Sequence, residues 1–124
     1  MALIGGSALL TSGCASLPVV KTALTDKKLS VPASSFLETT AVIVRNKDQE
    51  YDILLVKKAD GTYNALQMKC THRDVSLNGT TKGLNCNEHG SRFDLEGKVV
   101  EGPAKRDLKT YFTSVSGDNI LISV

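Results

Sequence analysis

The two histidines of this chain each lie a short, fixed distance from a cysteine, and this constrains the fold more than any other feature. Cys70 and His72 form a C-x-H pair, and Cys86 and His89 form a C-x-x-H pair after the thirteen residues 73–85. Two thiolates and two imidazoles supplied by two segments are typical of a metal centre. The spacing therefore predicts a fold that brings two loops together around a metal.

Two kinds of centre fit these four ligands. Zinc binds two cysteines and two histidines in a tetrahedral site. A [2Fe–2S] cluster binds the same set with both cysteines on one iron and both histidines on the other. Common zinc fingers supply a cysteine pair and then a histidine pair, whereas each segment here supplies one of each. This order favours the two-iron cluster and leaves a zinc-stabilised binding module as an alternative.

The residues around these pairs match a known family. From Cys70 to about Pro103 the chain resembles the cluster-binding segment of Rieske [2Fe–2S] proteins, and the likeness extends over residues 30–124. The resemblance implies a single Rieske domain that holds one [2Fe–2S] cluster per chain. The matching positions are Cys70, Thr71, His72, Cys86, Asn87, Glu88, His89, Gly90, Ser91, Arg92, Phe93, Asp94, Gly97, Gly102, Pro103 and Ala104.

The resemblance implies a fold, a role for each ligand and a role for one neighbour. Cys70 and Cys86 would bind one iron, and His72 and His89 would bind the other. Ser91 would donate a hydrogen bond from its hydroxyl to a bridging sulfide. The fold of the family is all-β, with stacked antiparallel sheets and a small cluster-binding subdomain.

The resemblance also shows where this chain departs from the Rieske proteins of quinol-oxidising complexes. Three positions carry different residues. Those relatives carry a disulfide at the positions of Val75 and Glu88 and a tyrosine at that of Phe93. A hydroxyl that donates to the cluster stabilises its reduced state, so the loss of the tyrosine lowers the reduction potential. We therefore expect a middle or lower potential than in those relatives. Gly102 and Pro103 match the third loop, which covers the cluster in the family.

The rest of the domain has the pattern of short β-strands. Apolar, β-branched runs alternate with turn residues, and no stretch shows the sustained 3.6-residue period of an amphipathic helix. Asp60-Gly61 predicts a hairpin with a type I′ turn, and a last hairpin is expected to turn at residues 117–119. The predicted strands cover residues 28–31, 41–45, 51–57, 62–68, 93–95, 98–100, 111–115 and 120–124.

Length and charge set limits on the class of protein. The chain has 124 residues, enough for one domain. Its formal net charge of +2 comes from basic residues scattered along the chain without aromatic interleaving. This pattern gives no reason to expect nucleic-acid binding.

The N-terminal segment differs in character from the rest. Residues 1–13 are uncharged and largely apolar before a lone Cys14, which resembles the signal segment of a bacterial lipoprotein. The likeness implies cleavage before Cys14, a lipid on its thiol and residues 14–29 as a tether, so that the protein is exported and faces the periplasm. The apolar run is too short to span a bilayer. Because no Lys or Arg precedes it, a start upstream of Met1 and an ordinary apolar tail are alternatives.

Together these features predict a one-electron carrier that is not an enzyme by itself. Its expected partners are redox proteins and a membrane that holds the lipid on Cys14. No histidine is left to build a second metal site, which argues against a complete oxygenase. The alternatives are a redox subunit of a membrane quinol-oxidising or other oxidoreductase complex and a soluble oxygenase-type Rieske ferredoxin.

Overall fold

The central strands of the fold are apolar on both faces. Successive side chains of a strand point to opposite faces, so a run in which almost every residue is apolar requires burial on both sides. The computed structural model describes residues 16–124, and in it Ala41–Arg45 and Ile53–Lys57 form adjacent antiparallel strands. Burial of both faces makes this pair the centre of the molecule.

Twelve strands are described between residues 16 and 124, with one short 3-10 helix, Ala33–Phe36, between the third and the fourth. In chain order the strands are β1 Val19–Lys21, β2 Leu24–Thr25, β3 Lys28–Pro32, β4 Ala41–Arg45, β5 Ile53–Lys57, β6 Tyr63–Gln67, β7 Asn78–Gly79, β8 Leu84–Asn85, β9 Arg92–Phe93, β10 Val99–Glu101, β11 Thr110–Ser116 and β12 Asn119–Ser123.

These strands form two sheets. The larger has eight strands in the order β1-β4-β5-β6-β11-β12-β3-β2, and we call it the body. The smaller has four strands in the order β10-β9-β8-β7. Its strands and the loops between them, residues 68–108, form a unit that we call the tip. Neighbouring strands are antiparallel except for β1 and β4, which are parallel.

Alternate residues of the central strands feed two separate cores. In β5, Leu54 points into one core and Leu55 into the other, and neither is accessible to solvent. The body core joins β4–β6 to β3 and β12, so the larger sheet curls over on itself; its members are Leu29, Val31, Phe36, Val42, Val44, Ile53, Leu55, Ala65, Ile120 and Ile122. The tip core lies between the body and the tip; its members are Leu17, Ala41, Leu54, Val56, Leu66, Met68, Cys70, Leu77, Leu84, Cys86, Phe93, Ala104 and Leu108.

This architecture confirms the all-β prediction of stacked sheets with a small subdomain. Both predicted hairpins are present, but the first uses another turn. Gly61 has a φ of 89° and donates its N–H to the carbonyl of Lys58, whereas Asp60 does not have positive φ. That is the pattern of a three-residue hairpin loop rather than of a type I′ turn. The last hairpin turns at Gly117, with a φ of 59°.

Much of the predicted tether, residues 14–29, takes part in the described fold. β1 pairs with β4, and β2 and β3 form a hairpin that joins the far edge of the body. Leu17 is already buried in the tip core. Strands of two or three residues are too short to show an alternating pattern, so their pairing is set by the neighbouring strand rather than by local sequence.

The predicted signal segment, residues 1–13, and the predicted lipidation site, Cys14, lie outside the described residues. Within residues 16–124, no helix has the length and apolar character needed to cross a membrane.

Candidate metal centre

Two loops of the tip carry the predicted ligands, and each is closed by a backbone hydrogen bond from its own cysteine. In loop 1, residues 70–75, the N–H of Cys70 donates to the carbonyl of Val75 at 2.9 Å. In loop 2, residues 86–91, the N–H of Cys86 donates to the carbonyl of Ser91 at 2.8 Å. Each cysteine therefore fixes the base of its own loop. The residues at the far end of each loop, 72–74 and 87–90, are exposed.

This closure separates the four predicted ligands by depth. Cys70 and Cys86 are buried, at 1% and 2% exposure, and both are free thiols. His72 and His89 are exposed, and their ring centroids lie 5.1 Å apart with the ring planes at 87°. The two loops thus place a pair of sulfurs inside and a pair of imidazoles at the surface.

The arrangement of donors distinguishes between the two kinds of centre. In the part of the chain that the structure describes, no three side chains of His, Cys, Asp or Glu converge as ligands of one metal ion. A tetrahedral zinc site needs four donors around one point. A cluster with two irons binds a thiolate pair on one iron and an imidazole pair on the other. The donors form two pairs at different depths, buried thiols and exposed imidazoles, and this arrangement fits the two-iron centre.

A third loop, residues 102–108, is bonded to both ligand loops. The Oγ of Ser91, which is fully buried, accepts the N–H of Ala104 at 2.9 Å. Thr71 donates its hydroxyl to the carbonyl of Arg106 at 2.6 Å, and the Arg106 guanidinium donates to the carbonyl of Thr71 at 3.1 Å. In the bond from Ala104, the Ser91 oxygen acts only as an acceptor, so the hydroxyl proton of Ser91 is free to be donated elsewhere.

Loop 3 contains Gly102 and Pro103, the residues predicted to cover the cluster. Both residues are exposed, and a Cβ added at Gly102 would meet nothing closer than 3.7 Å. The bonds to the ligand loops run instead through Ala104 and Arg106. Arg106 was missed in the sequence because a bond between residues 35 positions apart leaves no local pattern. Its partner Thr71 could have indicated such a bond, because its hydroxyl lies between two predicted ligands in the sequence.

The positions that carry a disulfide in quinol-oxidising relatives hold dissimilar side chains here. Val75 is half-buried and packs against the tip core, whereas Glu88 is exposed. Arg73, the cation next to His72, is also exposed. Charges in water are strongly screened, so Arg73 and Glu88 shift the reduction potential of the centre only weakly. Phe93 is 2% exposed and places an apolar ring in the same core.

Comparison with known proteins gives the same assignment as the site. The family model described as Rieske [2Fe–2S] domain matches residues 26–112, which include all four predicted ligands. Its boundary begins a few residues before the predicted domain start at residue 30. Domains of this family carry a [2Fe–2S] cluster.

The chain is similar in sequence to iron-sulfur subunits of the cytochrome b6-f complex. It is 34% identical over 100 residues to cytochrome b6-f complex iron-sulfur subunit 2 of Trichormus variabilis, covering 75% of this chain and 56% of the relative. It is 33% identical over 100 residues to subunit 1 of Synechocystis, with the same coverage. The chain thus spans little more than half the length of these relatives.

Solved structures share the fold. The cyanobacterial plasma membrane Rieske protein PetC3 from Synechocystis PCC 6803 is 34% identical, with a TM-score of 0.60 over 68% of this chain and 87% of that one. A chain in the complex of reduced oxygenase and oxidized ferredoxin in carbazole 1,9a-dioxygenase has a TM-score of 0.62 over 80% of this chain and 94% of that one, at 19% identity. The second likeness shows the fold alone. With the family model matching most of the chain, this protein belongs to the Rieske [2Fe–2S] domain family.

Proposed function

We propose that the protein is a one-electron carrier and not an enzyme by itself, with Cys70 and Cys86 binding one iron of its cluster and His72 and His89 the other. The observation that carries the proposal is the separation of the ligands by depth, with buried thiols beneath a pair of exposed imidazole rings 5.1 Å apart. When bound, such a cluster supplies a one-electron couple between roughly −150 and +300 mV.

The buried and the exposed residues of the tip have different roles in an electron carrier. The buried cysteines and the apolar side chains around them keep water from the inner pair of ligands, which limits loss of the metal. The exposed rings of His72 and His89 form the part of the site that a partner protein contacts. Ser91 holds loop 3 in place through its oxygen and has a proton to donate to the centre, which favours added negative charge.

The surroundings of the ligands support a middle or lower potential within the Rieske range. No disulfide joins loop 1 to loop 2, since Val75 and Glu88 stand at those positions, and the buried ring of Phe93 has no hydroxyl to donate. Ser91 is then the hydroxyl in place to donate to the centre. A midpoint potential measured at the top of the Rieske range would contradict this proposal.

We also propose that the carrier is exported and held at a bacterial membrane by a lipid on Cys14. The support is the uncharged segment 1–13 before that cysteine and the similarity to a plasma membrane Rieske protein. Mass spectrometry of the protein purified from membranes should find a lipid-modified Cys14 at the N-terminus. The Cys14→Ser variant should then appear in the soluble fraction, and recovery of unmodified Cys14 would contradict the anchor.

A second function is favoured by the similarity to cytochrome b6-f subunits, namely that of a redox subunit in a membrane oxidoreductase complex. Purification from detergent-solubilised membranes separates the two proposals. A carrier should elute as a single species, whereas a subunit should elute with its complex. The soluble ferredoxin alternative predicts neither a membrane fraction nor a lipid.

Metal analysis with EPR of the reduced protein tests the cluster itself. We expect two irons per chain and a spectrum typical of a Rieske cluster, and a redox titration then gives the midpoint potential. The Cys86→Ser and His89→Ala variants should both lose the signal. One zinc per chain without iron would instead show the zinc-stabilised module.

A further inference from the structure

The charged side chains of the tip are unevenly paired. Four acids of the tip lie within ion-pair distance of a lysine or arginine. The pairs are Lys58 with Glu96 at 3.4 Å, Lys69 with Asp74 at 3.3 Å, Arg92 with Glu101 at 3.0 Å and Lys98 with Asp107 at 3.4 Å. Two acids of the tip, Glu88 and Asp94, are left without such a partner among the described residues, and Glu88 lies next to His89.

Four cations around the ligand loops have no carboxylate within 4 Å among residues 16–124. We call this set the basic rim; it consists of Arg73, Lys105, Arg106 and Lys109. Arg73 follows His72 directly. Arg106 is bonded to the carbonyl of Thr71, which precedes His72, so the exposed rings lie beside these charges. Lys109 lies over the ring of Tyr111, 5.1 Å from its centroid, and keeps its charge.

Outside the basic rim and Glu88, the unpaired charges nearly cancel. Of the 15 lysines and arginines, five are in ion pairs and four form the basic rim, which leaves six. Of the 13 acids, five are in those pairs and one is Glu88, which leaves seven. The net positive charge of the molecule is therefore concentrated at the end that carries the histidines.

A groove of about 270 Å³ opens within the rim, beside Cys70 and Thr71. Arg106 and Lys109 line it without carboxylate partners, and the acids that also line it are already occupied. Asp107 accepts the N–H of Val99 at 3.0 Å, and this bond, assisted by Lys98, holds the pKa of its carboxyl below the usual value. The groove thus offers cations to an acidic side chain from outside.

We propose that the basic rim is the docking surface for an acidic electron-transfer protein, whose carboxylates contact the rim and bring its redox group to the exposed rings of His72 and His89. This inference rests on the proposed function of the chain as a carrier. Charge of one sign around an exposed redox site raises the rate of encounter with a partner of the opposite sign.

Two small oxidants of opposite charge serve as probes of this surface. In each reaction one electron leaves the reduced protein, converting ferricyanide to ferrocyanide or the tris(phenanthroline)cobalt(III) cation to its cobalt(II) form, and no bond is made or broken. The ratio of the two rate constants, measured by stopped flow, compares an anion with a cation. A change in the midpoint potential affects both rates in the same direction, so the ratio reports mainly on charge.

The variant Arg73→Gln/Lys105→Gln removes two rim charges whose side chains make no ion pair. At low ionic strength the anion-to-cation rate ratio should fall about ten-fold, and the difference should shrink in 0.5 M salt as the charges are screened. The matched control Lys28→Gln/Lys57→Gln removes two exposed charges from the body. Its ratio should stay within about two-fold of the wild type.

Binding of fluorescently labelled poly-L-glutamate, followed by anisotropy, gives a readout that needs no electron transfer. The rim variant should bind at least several-fold more weakly than the control. If neither oxidant accepts an electron from the wild-type protein, the carrier function fails. If both oxidants react but rim and control variants show equal ratios and equal peptide binding, the carrier function stands and the docking surface is wrong.

Discussion

The body and the tip are built from the same kind of sequence but are stabilised differently. Strands of the body reach seven residues, and its central strands bury side chains on both faces. Strands of the tip have two or three residues, and their apolar side chains share one core with the body. The body therefore carries a core of its own, whereas the tip depends on the body and on bonds between its loops.

This difference separates folding from cofactor binding. The body core includes none of the proposed ligands, but the tip core contains both Cys70 and Cys86. A change in the tip core should therefore reach the metal centre directly. A change in the body core should reach it only through the overall stability of the domain. Leu54 and Leu55, adjacent in β5 and equally buried, allow the two effects to be compared.

The largest expected effect comes from truncating these two leucines. Leu54→Ala and Leu55→Ala should each lower the free energy of unfolding by about 2–5 kcal/mol, because each leaves a cavity in a packed core. Urea unfolding followed by circular dichroism gives these values. We expect Leu54→Ala also to lose its cluster faster to a chelator under conditions where both variants are folded.

The comparison between these variants is its own control, since both remove the same atoms from the same strand. Visible absorbance measures cluster loss independently of the dichroism. Equal rates of cluster loss in Leu54→Ala and Leu55→Ala would show that body and tip open as a single unit, and would remove the distinction drawn between them.

The second effect tests the bonds between loops of the tip. Ser91→Ala removes the acceptor of the Ala104 N–H at a fully buried position, and an unsatisfied buried donor costs about 1–3 kcal/mol. Because the lost hydrogen bond joins only loops 2 and 3, a chelator should remove the cluster faster than from the wild type. The urea midpoint should change less than in the Leu54→Ala and Leu55→Ala variants. Ser116→Ala, at an exposed position of β11, is the matched control and should leave both measurements unchanged.

Much of the body could be predicted from sequence because its signals are local. The run Ala41–Arg45 has the same bounds in sequence and structure, since a continuous apolar stretch between polar residues has few other ways to be buried. The hairpin β2–β3 was missed because Lys27, the second of its two turn residues, stands where such turns usually have glycine. Pairing with β4 likewise cannot be read from the three residues of β1.

In the tip, the sequence predicts four ligands, but it contains no local pattern for the bonds that position their loops. The spacing of the Cys/His pairs indicated convergence, and the structure brings the rings of His72 and His89 together. The bonds of Arg106 to Thr71 and of Ala104 to Ser91 join residues 35 and 13 positions apart. Such bonds follow from the packing of three loops, which no local pattern encodes.

A third prediction concerns the electronic surroundings of the ligands. Phe93→Tyr adds a hydroxyl at a buried position of β9 next to the ligand loops. If about 1 kcal/mol of a hydrogen bond to a charged group is gained only on reduction, the midpoint potential rises by about 40 mV, since a one-electron couple shifts by 59 mV per tenfold change in equilibrium constant. Protein-film voltammetry measures the shift.

Phe112→Tyr provides the control for this change. Phe112 lies in the body and is 73% exposed, so its new hydroxyl meets water and should leave the potential unaltered. The absence of an upward shift in Phe93→Tyr would mean that the ring at this position does not face a ligand sulfur, and the assignment of Phe93 would be wrong.

The smallest expected effect is confined to the body and acts through its backbone. Asp26 and Lys27 have φ values of 52° and 62° in the two-residue turn between β2 and β3. A left-handed conformation costs a residue with a Cβ about 1–2 kcal/mol, whereas glycine adds about 0.4–1 kcal/mol of entropy to the unfolded chain. Lys27→Gly creates the favoured Asp-Gly turn and should therefore raise the free energy of unfolding by about 0.5–1 kcal/mol.

Urea unfolding of Lys27→Gly beside Lys28→Gly sharpens the contrast between body and tip. Lys28 lies within β3 and is not among the residues with positive φ, so glycine there should destabilise the domain by about 0.5–1 kcal/mol. Neither change touches the tip core, and the rate of cluster loss under folding conditions should stay at the wild-type value in both. Destabilisation by Lys27→Gly would mean that the turn does not hold Lys27 in the left-handed region. A change in cluster loss would mean that the edge of the body supports the ligand loops.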